Sequence, residues 1–303
     1  MKAVGIGGGH GLSRALTAFR LLDLQPTAVV TVADDGGSSG RLRQEHGVVA
    51  LGDLRMALST LADGTELAEV FQHRFDVGDL KGHALGNLVL LALLEQCDGD
   101  IVTALDRAGR LLGCQGRVLP STHEPVQLHG CIGGREVGGQ VRVATATDRV
   151  ERVWLEPAQP PACPQAVEAI AEADLIVLGP GSLFTSVLAA LLVPGIGEAV
   201  VAAEATVVLA CNLLTQPGET SELSAADHVE ALFAHVPGLM LDAVLLHDGP
   251  ACAGAGTPLG TDLDHPAVRQ VVCADLALRQ DGAVTGMHDP QRLADALNGL
   301  LAS

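Results

Sequence analysis

The chain has 303 residues and a formal net charge of −18, with 48% hydrophobic residues, 2% aromatic residues and no tyrosine. Nucleic acids are bound by basic surfaces, and single strands also need aromatic rings on which bases stack. The acidic charge and the shortage of aromatic residues therefore argue against a nucleic-acid partner. The core must be packed from aliphatic side chains, for which there is ample material.

The cysteines and the hydrophobic stretches indicate the compartment. The seven cysteines are scattered and form no C-x-x-C pair, which is typical of reduced thiols in a cytosol. The amino terminus, MKAVGIGGGHG, lacks the apolar region of a secretory signal. The stretch 187–211 is the most hydrophobic, but Pro194, Gly195, Glu198 and Glu204 interrupt it before the ~20 apolar residues that a spanning helix needs. We expect a soluble, cytoplasmic protein without a membrane span.

Strand and helix patterns alternate from the start of the chain. Ala3–Ile6 is a short apolar run, Leu12–Leu22 has helical apolar spacing, and Thr27–Val32 is a second, β-branched run. Two strands joined by one helix form a βαβ unit with parallel pairing. The following segment, Leu54–Leu112, is mainly helical, with an interruption at Gly78–Gly86.

The apolar period then changes from helical to alternating over residues 116–156, which predicts an inserted antiparallel β-hairpin at a sheet edge. Later runs predict parallel strands at Leu175–Leu178, Thr206–Cys211, Leu241–Leu246 and Val268–Cys273. Helices are predicted at Ser182–Leu192, Ala225–Ala234 and Pro290–Leu301. With no linker and no repeat, we expect one domain over residues 1–303: a Rossmann-like, doubly wound, mainly parallel α/β fold with a β excursion.

Glycine-rich and polar clusters follow several of these strands, where open α/β sheets bind their ligands. The first cluster comprises Gly7, Gly8, Gly9, His10, Gly11 and Ser13. Glycines let a backbone approach a phosphate closely, and a helix amino terminus offers free amides. The spacing matches neither G-x-G-x-x-G nor a Walker sequence. A tight turn without a ligand is the alternative, but four glycines in five residues exceed what a turn needs, so we predict phosphate binding.

The second cluster follows the second strand. Asp34 and Asp35 are placed to bond ribose hydroxyls, or to ligate Mg²⁺ beside a phosphate. Four further residues are predicted to contact phosphate: Ser38, Ser39, Arg41 and Arg43. An Asp-Gly loop that caps the next helix is the plainer alternative.

Two smaller clusters lie in the helical region. Asp53 is either a ligand contact or a helix N-cap with Arg55 on a solvated face. His83 and Asn87 are four residues apart and share a helix face, so we predict that both contact the ligand.

The last two clusters follow later strands. Gly181 and Ser182 stand between a buried strand and a helix, and form a second candidate anion site built like the first. Four residues with donors and acceptors suited to a base or sugar edge come later: Asn212, Thr215, Gln216 and Glu219. No G-x-S-x-G, H-E-x-x-H or zinc-type spacing occurs, so no motif marks a covalent nucleophile.

Taken together, these motifs resemble the YvcK-type family of gluconeogenesis factors, which is related to 2-phospho-L-lactate transferase (CofD). The matching segments run through nearly the whole chain: GGGHGLS (7–13), TAVVTVADDGGSSGRLR (27–43), GHALGN (82–87), VLPST (118–122), GPGSLFTS (179–186), LLVPGI (191–196), NLLTQPGET (212–220) and DHVEAL (227–232). The chain departs from the family pattern at Leu51, Met56, Phe184, Ala189-Ala190 and Gln140.

The resemblance implies a Rossmann-like cytoplasmic protein that binds UDP-sugars and supports cell shape and cell-wall synthesis on gluconeogenic carbon. The related transferases place a metal on the acidic residues that match Asp34 and Asp35, but the chain has GRLRQEHG where they have P-D-x-D-T. We therefore favour a UDP-sugar-binding regulatory protein, and we expect a homodimer. The alternatives are a transferase that moves 2-phospho-L-lactate from a nucleotide carrier to a deazaflavin, and an NAD(P)-binding protein.

Overall fold

A computed structural model of the chain describes residues 1–62 and 64–302. Its strands are β1 (Lys2–Gly7), β2 (Gln25–Val30), β3 (Arg117–Pro120), β4 (Gln127–Ile132), β5 (Arg135–Gly138), β6 (Val150–Glu156), β7 (Leu175–Leu178), β8 (Thr206–Ala210), β9 (Ala243–His247), β10 (Val271–Ala274), β11 (Ala277–Gln280) and β12 (Ala283–His288). Its helices are α1 (Gly9–Leu21), α2 (Gly37–His46), α3 (Gly52–Leu61), α4 (Glu66–Gln72), α5 (Leu85–Gln96), α6 (Ile101–Leu112), α7 (Gln140–Ala144), α8 (Pro164–Ala171), α9 (Ala189–Leu191), α10 (Ile196–Ala202), α11 (Ala225–His235) and α12 (Pro290–Leu301), with a π-helical turn at Leu183–Leu188.

Seven of the strands form one sheet in the order β10-β9-β8-β7-β1-β2-β3, and every neighbouring pair is parallel. Strands covered by helices on both faces are continuously apolar. Leu175–Leu178 meets that expectation, because all four side chains are fully buried. The predicted Rossmann-like α/β fold with a mainly parallel sheet is confirmed.

The order of the strands creates a switch point beside β1. The chain moves from β1 through α1 to β2 on one side, while β7 pairs with β1 on the other side. Connections leave the carboxyl ends of these neighbouring strands in opposite directions, which opens a crevice between them. The turns after β1 and β7 border this crevice.

The β excursion differs from its prediction in three ways. Its first strand, β3, is parallel and belongs to the edge of the main sheet, where it pairs with β2. The antiparallel part is a separate three-stranded sheet in the order β5-β4-β6, not a hairpin at the edge of the main sheet. The segment after β5, predicted to continue as a strand, forms helix α7 instead. Gly139, at φ +107°, breaks the strand and permits that change of direction.

The carboxyl-terminal part contains a hairpin that the sequence pattern did not predict. β11 pairs with β12 in antiparallel fashion, with an irregular register between Ala277 and Arg279. Short strands with a bulge carry little alternation, so the period-two signal is weak here. The predicted strand Val268–Cys273 is observed as β10, shifted toward the carboxyl terminus.

Several helices begin earlier than the apolar periodicity predicts. α1 starts at Gly9 and α2 starts at Gly37, so both helices begin inside segments that were expected to be loops. The predicted helix Ser182–Leu192 begins as the π-helical turn. Glycine lowers helix propensity, and the tertiary contacts of these first turns override it.

Among the described residues, no single helix is both long and apolar enough to cross a membrane. Leu183–Leu191 and Ile196–Ala202 meet the length and composition criteria only as a pair, and the two are bent by 78° at their junction.

Candidate functional site

The turns after β1 and β7 touch across the switch point. A Cβ atom on Gly11 would overlap the carbonyl oxygen of Pro180, and one on Gly181 would lie 3.6 Å from the carbonyl oxygen of Gly8. Backbone therefore meets backbone, and a side chain at Gly11 would force the turns apart. The two predicted glycine clusters converge on one place.

The amino terminus of α1 opens into this place. Gly8 is its N-cap residue and, as a glycine, has no side chain with which to cap the helix; no acidic residue lies in the first turn. The amide of Gly9, at φ +61°, lies close enough to the carboxylate of Asp53 to favour its ionised form. The next two amides, of His10 and Gly11, also belong to the first turn of α1. At a helix amino terminus the dipole and the N–H groups without an intrahelical acceptor favour an anion.

Asp53 stands beside Gly8, and Asp34 lies near Asp53. Asp53 packs so closely that a Cβ on Gly8 would overlap its Oδ2 atom, and Asp34 lies 3.4 Å from the Cβ position of Gly52. Burial, and secondarily the charge of Asp34, raise the pKa of Asp53 to about 6. Asp53 is not the N-cap of α3, which is Leu51, and its neighbour Arg55 is buried rather than on a solvated face.

Asp35 turns away from this pair. Its carboxylate accepts hydrogen bonds from the amides of Gln140 and Val141, both at 3.0 Å, and so caps α7 of the small sheet. Asp35 therefore has a structural role, and its contact with ribose or Mg²⁺ stays a prediction. Asp35 ties the loop after β2 to the small sheet, whereas Asp34 Oδ1 accepts a hydrogen bond from the Gly36 amide at 2.9 Å and Asp34 Oδ2 lies near Gly52.

Two of the residues after Asp35, Arg43 and Ser39, bond to backbone groups of the protein. Arg43 donates to the carbonyl oxygens of Ala33, Asp34 and Val126, so it holds the backbone rather than facing a phosphate. The hydroxyl of Ser39 accepts the amide of Gly52 at 3.1 Å. The expected phosphate contacts of these two side chains are replaced by structural ones.

Ser38, His83 and Asn87 form a buried network. Ser38 Oγ lies 3.0 Å from His83 Nδ1, and Asn87 Nδ2 donates to the same Oγ at 3.0 Å. All three side chains are buried, and Asn87 Oδ1 has no partner among the described residues. Burial, and secondarily the charge of Arg41, lower the pKa of His83, so the ring is neutral at pH 7. The sequence predicted each residue but not that they contact one another.

The second glycine turn is filled by the protein's own side chains. Asn212 Oδ1 accepts the amide of Gly181 at 3.1 Å, and its Nδ2 donates to the Gly181 carbonyl at 2.9 Å. Glu219 Oε1 accepts the amides of Phe184 at 2.7 Å and Thr185 at 3.0 Å. This turn is therefore held by hydrogen bonds within the protein and packs against the first turn, and anion binding at Gly181 and Ser182 stays a prediction.

Glu219 is a buried internal cap rather than a sugar contact. Its Oε2 also accepts the Thr185 hydroxyl at 3.1 Å, and Ser182 donates to the same carboxylate. Burial raises the pKa of Glu219, while the backbone and hydroxyl donors lower it.

The remaining predicted residues also bond within the protein. Thr215 pairs with Thr257 through backbone and hydroxyl contacts, and the Gln216 amide donates to Thr220 Oγ1 at 2.8 Å. Ser13 lies in the second turn of α1 and donates its hydroxyl to the Gly9 carbonyl at 3.3 Å. The predicted sugar-edge loop is thus held by its own hydrogen bonds.

Asp34 lies near Asp53, since its charge raises the pKa of that carboxyl group, and the Mg²⁺ site at Asp34 and Asp35 stays a prediction. Within residues 1–62 and 64–302, no group of three or more His, Cys, Asp or Glu side chains is arranged to hold a metal. Mg²⁺ needs fewer protein ligands, since one or two carboxylates plus substrate phosphates suffice.

Residues 3–260 match the family model described as 2-phospho-L-lactate transferase CofD. The chain belongs to the CofD family. It is 46% identical to the gluconeogenesis factor of Bacillus subtilis, over 80% of this chain and 77% of that protein, and 37% identical to the gluconeogenesis factor of Listeria innocua, over 99% and 95%. A crystal structure of a Bacillus halodurans protein superposes with a TM-score of 0.90 at 36% identity, covering 98% of this chain and 99% of that one.

These matches confirm the resemblance that the motifs predicted, to CofD-like proteins named gluconeogenesis factors. The sequence analysis assigned no functional role to two arginines of this CofD-family chain, Arg55 and Arg74. Burial, and secondarily the charge of Arg74, lower the pKa of Arg55 to about 10. The D-x-R spacing at 53–55 was the only signal for Arg55, and Arg74 stands in no motif.

Replacing Glu219 tests its role as an internal cap. Glu219→Ala leaves two buried amides without acceptors, and we expect it to reduce the free energy of unfolding by about 2–4 kcal/mol. The matched variant Glu219→Gln keeps an acceptor oxygen, and we expect it to lose about 1 kcal/mol or less. Urea denaturation measures both. An alanine variant as stable as the wild type would contradict the assignment.

Replacing Asp53 tests its raised pKa. Because the folded pKa of about 6 exceeds the unfolded value of 3.8, the folded protein binds the proton more tightly, and ionisation of Asp53 destabilises the fold as pH rises. Asp53→Asn cannot ionise. We expect its stability advantage over the wild type to grow between pH 4 and pH 7 by at most about 3 kcal/mol, in urea denaturation at each pH. A difference independent of pH would count against the shift.

Proposed function

We propose that this CofD-family chain is a UDP-sugar-binding regulatory protein of the cytoplasm that supports cell shape and cell-wall synthesis on gluconeogenic carbon. The observation that carries the binding proposal is the amino terminus of α1, which lies at the switch point of the sheet and has a glycine as its N-cap residue and no acidic residue in its first turn. A diphosphate would accept hydrogen bonds from the His10 and Gly11 amides. The relatives named gluconeogenesis factors support the regulatory role.

The rest of the nucleotide-sugar would lie toward α2 and α5. In that direction Ser38, His83 and Asn87 form their buried network, and Asn87 Oδ1 is an acceptor without a partner among the described residues. A buried acceptor without a partner costs about 1–3 kcal/mol, which a hydroxyl or N–H of a ligand would recover. Asp34 supplies a further acceptor for a ribose hydroxyl.

His10 offers a direct test, because it is exposed and lies in the first turn of α1. His10→Glu places a carboxylate at the proposed phosphate site, and we expect it to weaken UDP-N-acetylglucosamine binding by at least ~10-fold through charge repulsion. The matched variant His10→Gln adds no charge and should bind within ~3-fold of the wild type. Titration calorimetry measures all three proteins.

Two binding results would contradict a phosphate site at the amino terminus of α1. An acidic residue in the first turn stabilises a helix, so His10→Glu should fold at least as well as the wild type. If the wild type gives no heat at millimolar ligand, or if His10→Glu binds as tightly as the wild type, the phosphate site at α1 is wrong. Protection of the wild type by NADP but not by UDP-sugars in a thermal-shift assay would favour the dinucleotide alternative.

Transferase activity is a second candidate, favoured by the CofD family model and by the pairing of Asp34 with Asp53. A deazaflavin hydroxyl would attack the phosphorus that carries the lactate, and a nucleoside monophosphate would leave. Mg²⁺ held by Asp34 and Asp53 would supply positive charge to the phosphates. Incubation with both substrates and Mg²⁺, followed by mass detection of the product, tests it. Absence of product from folded protein that binds both substrates would exclude this activity.

A further inference from the structure

Two arginines converge on the turn that precedes α5. Arg41 Nη2 donates to the Lys81 carbonyl at 2.7 Å, and Arg74 Nη1 donates to the Gly82 carbonyl at 3.0 Å. Arg41 Nη2 also lies 3.5 Å from the Cβ position of Gly82. Two guanidinium groups, from α2 and from the segment after α4, therefore contact the same residue.

This concentration of positive charge is unusual for the chain. It has 18 basic and 36 acidic residues, so carboxylate partners are plentiful. Arg117, Arg149 and Arg269 each pair with an aspartate. Within the described part of the chain, Arg41 and Arg74 bond backbone carbonyls and form no ion pair with a carboxylate. Each guanidinium has five N–H donors, so most of their donors remain available.

A third guanidinium lies behind them. Arg55 is only 2% exposed and donates to Gln72, but its Nε has no partner among the described residues. Burial, and secondarily the charge of Arg74, lower the pKa of Arg55, while the charge of Asp53 acts in the opposite direction. Positive groups held together against their repulsion, one of them buried, favour binding of an anion between them.

The arginines lie beside the proposed nucleotide site, not within it. Ser38 precedes Arg41 by three residues on α2 and bonds both His83 and Asn87, which follow the turn along the chain. Asn87 is 1% exposed, and its Oδ1 has no partner among the described residues. A ligand that extends from the α1 amino terminus past Ser38 would reach the arginines with its far end.

We propose that Arg41 and Arg74 form an anion subsite, distinct from the amino terminus of α1, that binds a carboxylate on the sugar of a sugar nucleotide. This rests on the proposed UDP-sugar function and narrows it from neutral sugars to sugar acids. A guanidinium fork matches the two oxygens of a carboxylate, and a second guanidinium provides the remaining donors. Asn87 Oδ1 accepts from a sugar hydroxyl next to that carboxylate.

UDP-glucuronate and UDP-glucose are suitable probes, because they differ only at C6, which is a carboxylate in one and a hydroxymethyl group in the other. We expect the wild type to bind UDP-glucuronate ~10-fold more tightly than UDP-glucose by titration calorimetry. Arg74→Gln should abolish that preference and leave the affinity for UDP-glucose within ~2-fold of the wild type. The matched control Arg110→Gln, at an exposed position on α6, should keep the preference.

The outcomes separate this inference from the function on which it rests. If the wild type binds neither UDP compound, the proposed function fails and the subsite fails with it. If it binds both equally, or if Arg74→Gln and Arg41→Gln weaken both alike, UDP-sugar binding stands. The subsite is then overturned. Equal binding would mean that the arginines hold no sugar carboxylate, and equal weakening would mean that they hold the diphosphate itself. Loss of the preference in Arg110→Gln would likewise overturn it.

Discussion

Direct contact between two stretches of backbone organises this molecule. The first turn of α1 and the turn after β7 approach so closely that only glycine fits at position 11. That contact brings the carboxyl ends of β1 and β7 together, and it fixes the direction in which the α1 amides point. The parallel sheet sets the strands side by side, but the glycines decide that the crevice between them is bordered by amide groups rather than side chains.

The chain neutralises most of the helix amino termini around this crevice by itself. Glu219 caps the π-helical turn after β7, and Asp35 caps α7. Ser39 accepts the first amide of α3. In α1 the Gly9 amide lies near the carboxylate of Asp53, and the two following amides are the ones that we propose bind an anion. The contrast between filled and open helix ends, rather than the number of glycines, distinguishes the candidate site.

Local patterns predicted the scaffold well and the partners of side chains poorly. The buried strand at Leu175–Leu178 and the glycine turn after β1 are visible because burial and turn geometry depend on neighbouring residues. Asp35 caps a helix 105 residues away, and no local signal states such a contact. Glu219 looked like a ligand residue because polar side chains after strands have the same pattern whether they bind a ligand or an amide of the protein. Arg74 lies outside every motif, and no local pattern predicts that it contacts the same turn as Arg41.

The most direct test of the account is a crystal structure of the chain with UDP-N-acetylglucosamine bound. We expect diphosphate oxygens at about 3 Å from the amide nitrogens of His10 and Gly11, with Glu219 and Asn212 still bonded to the turn after β7. A diphosphate bound elsewhere on the molecule, with the α1 amides in contact with water alone, would contradict it.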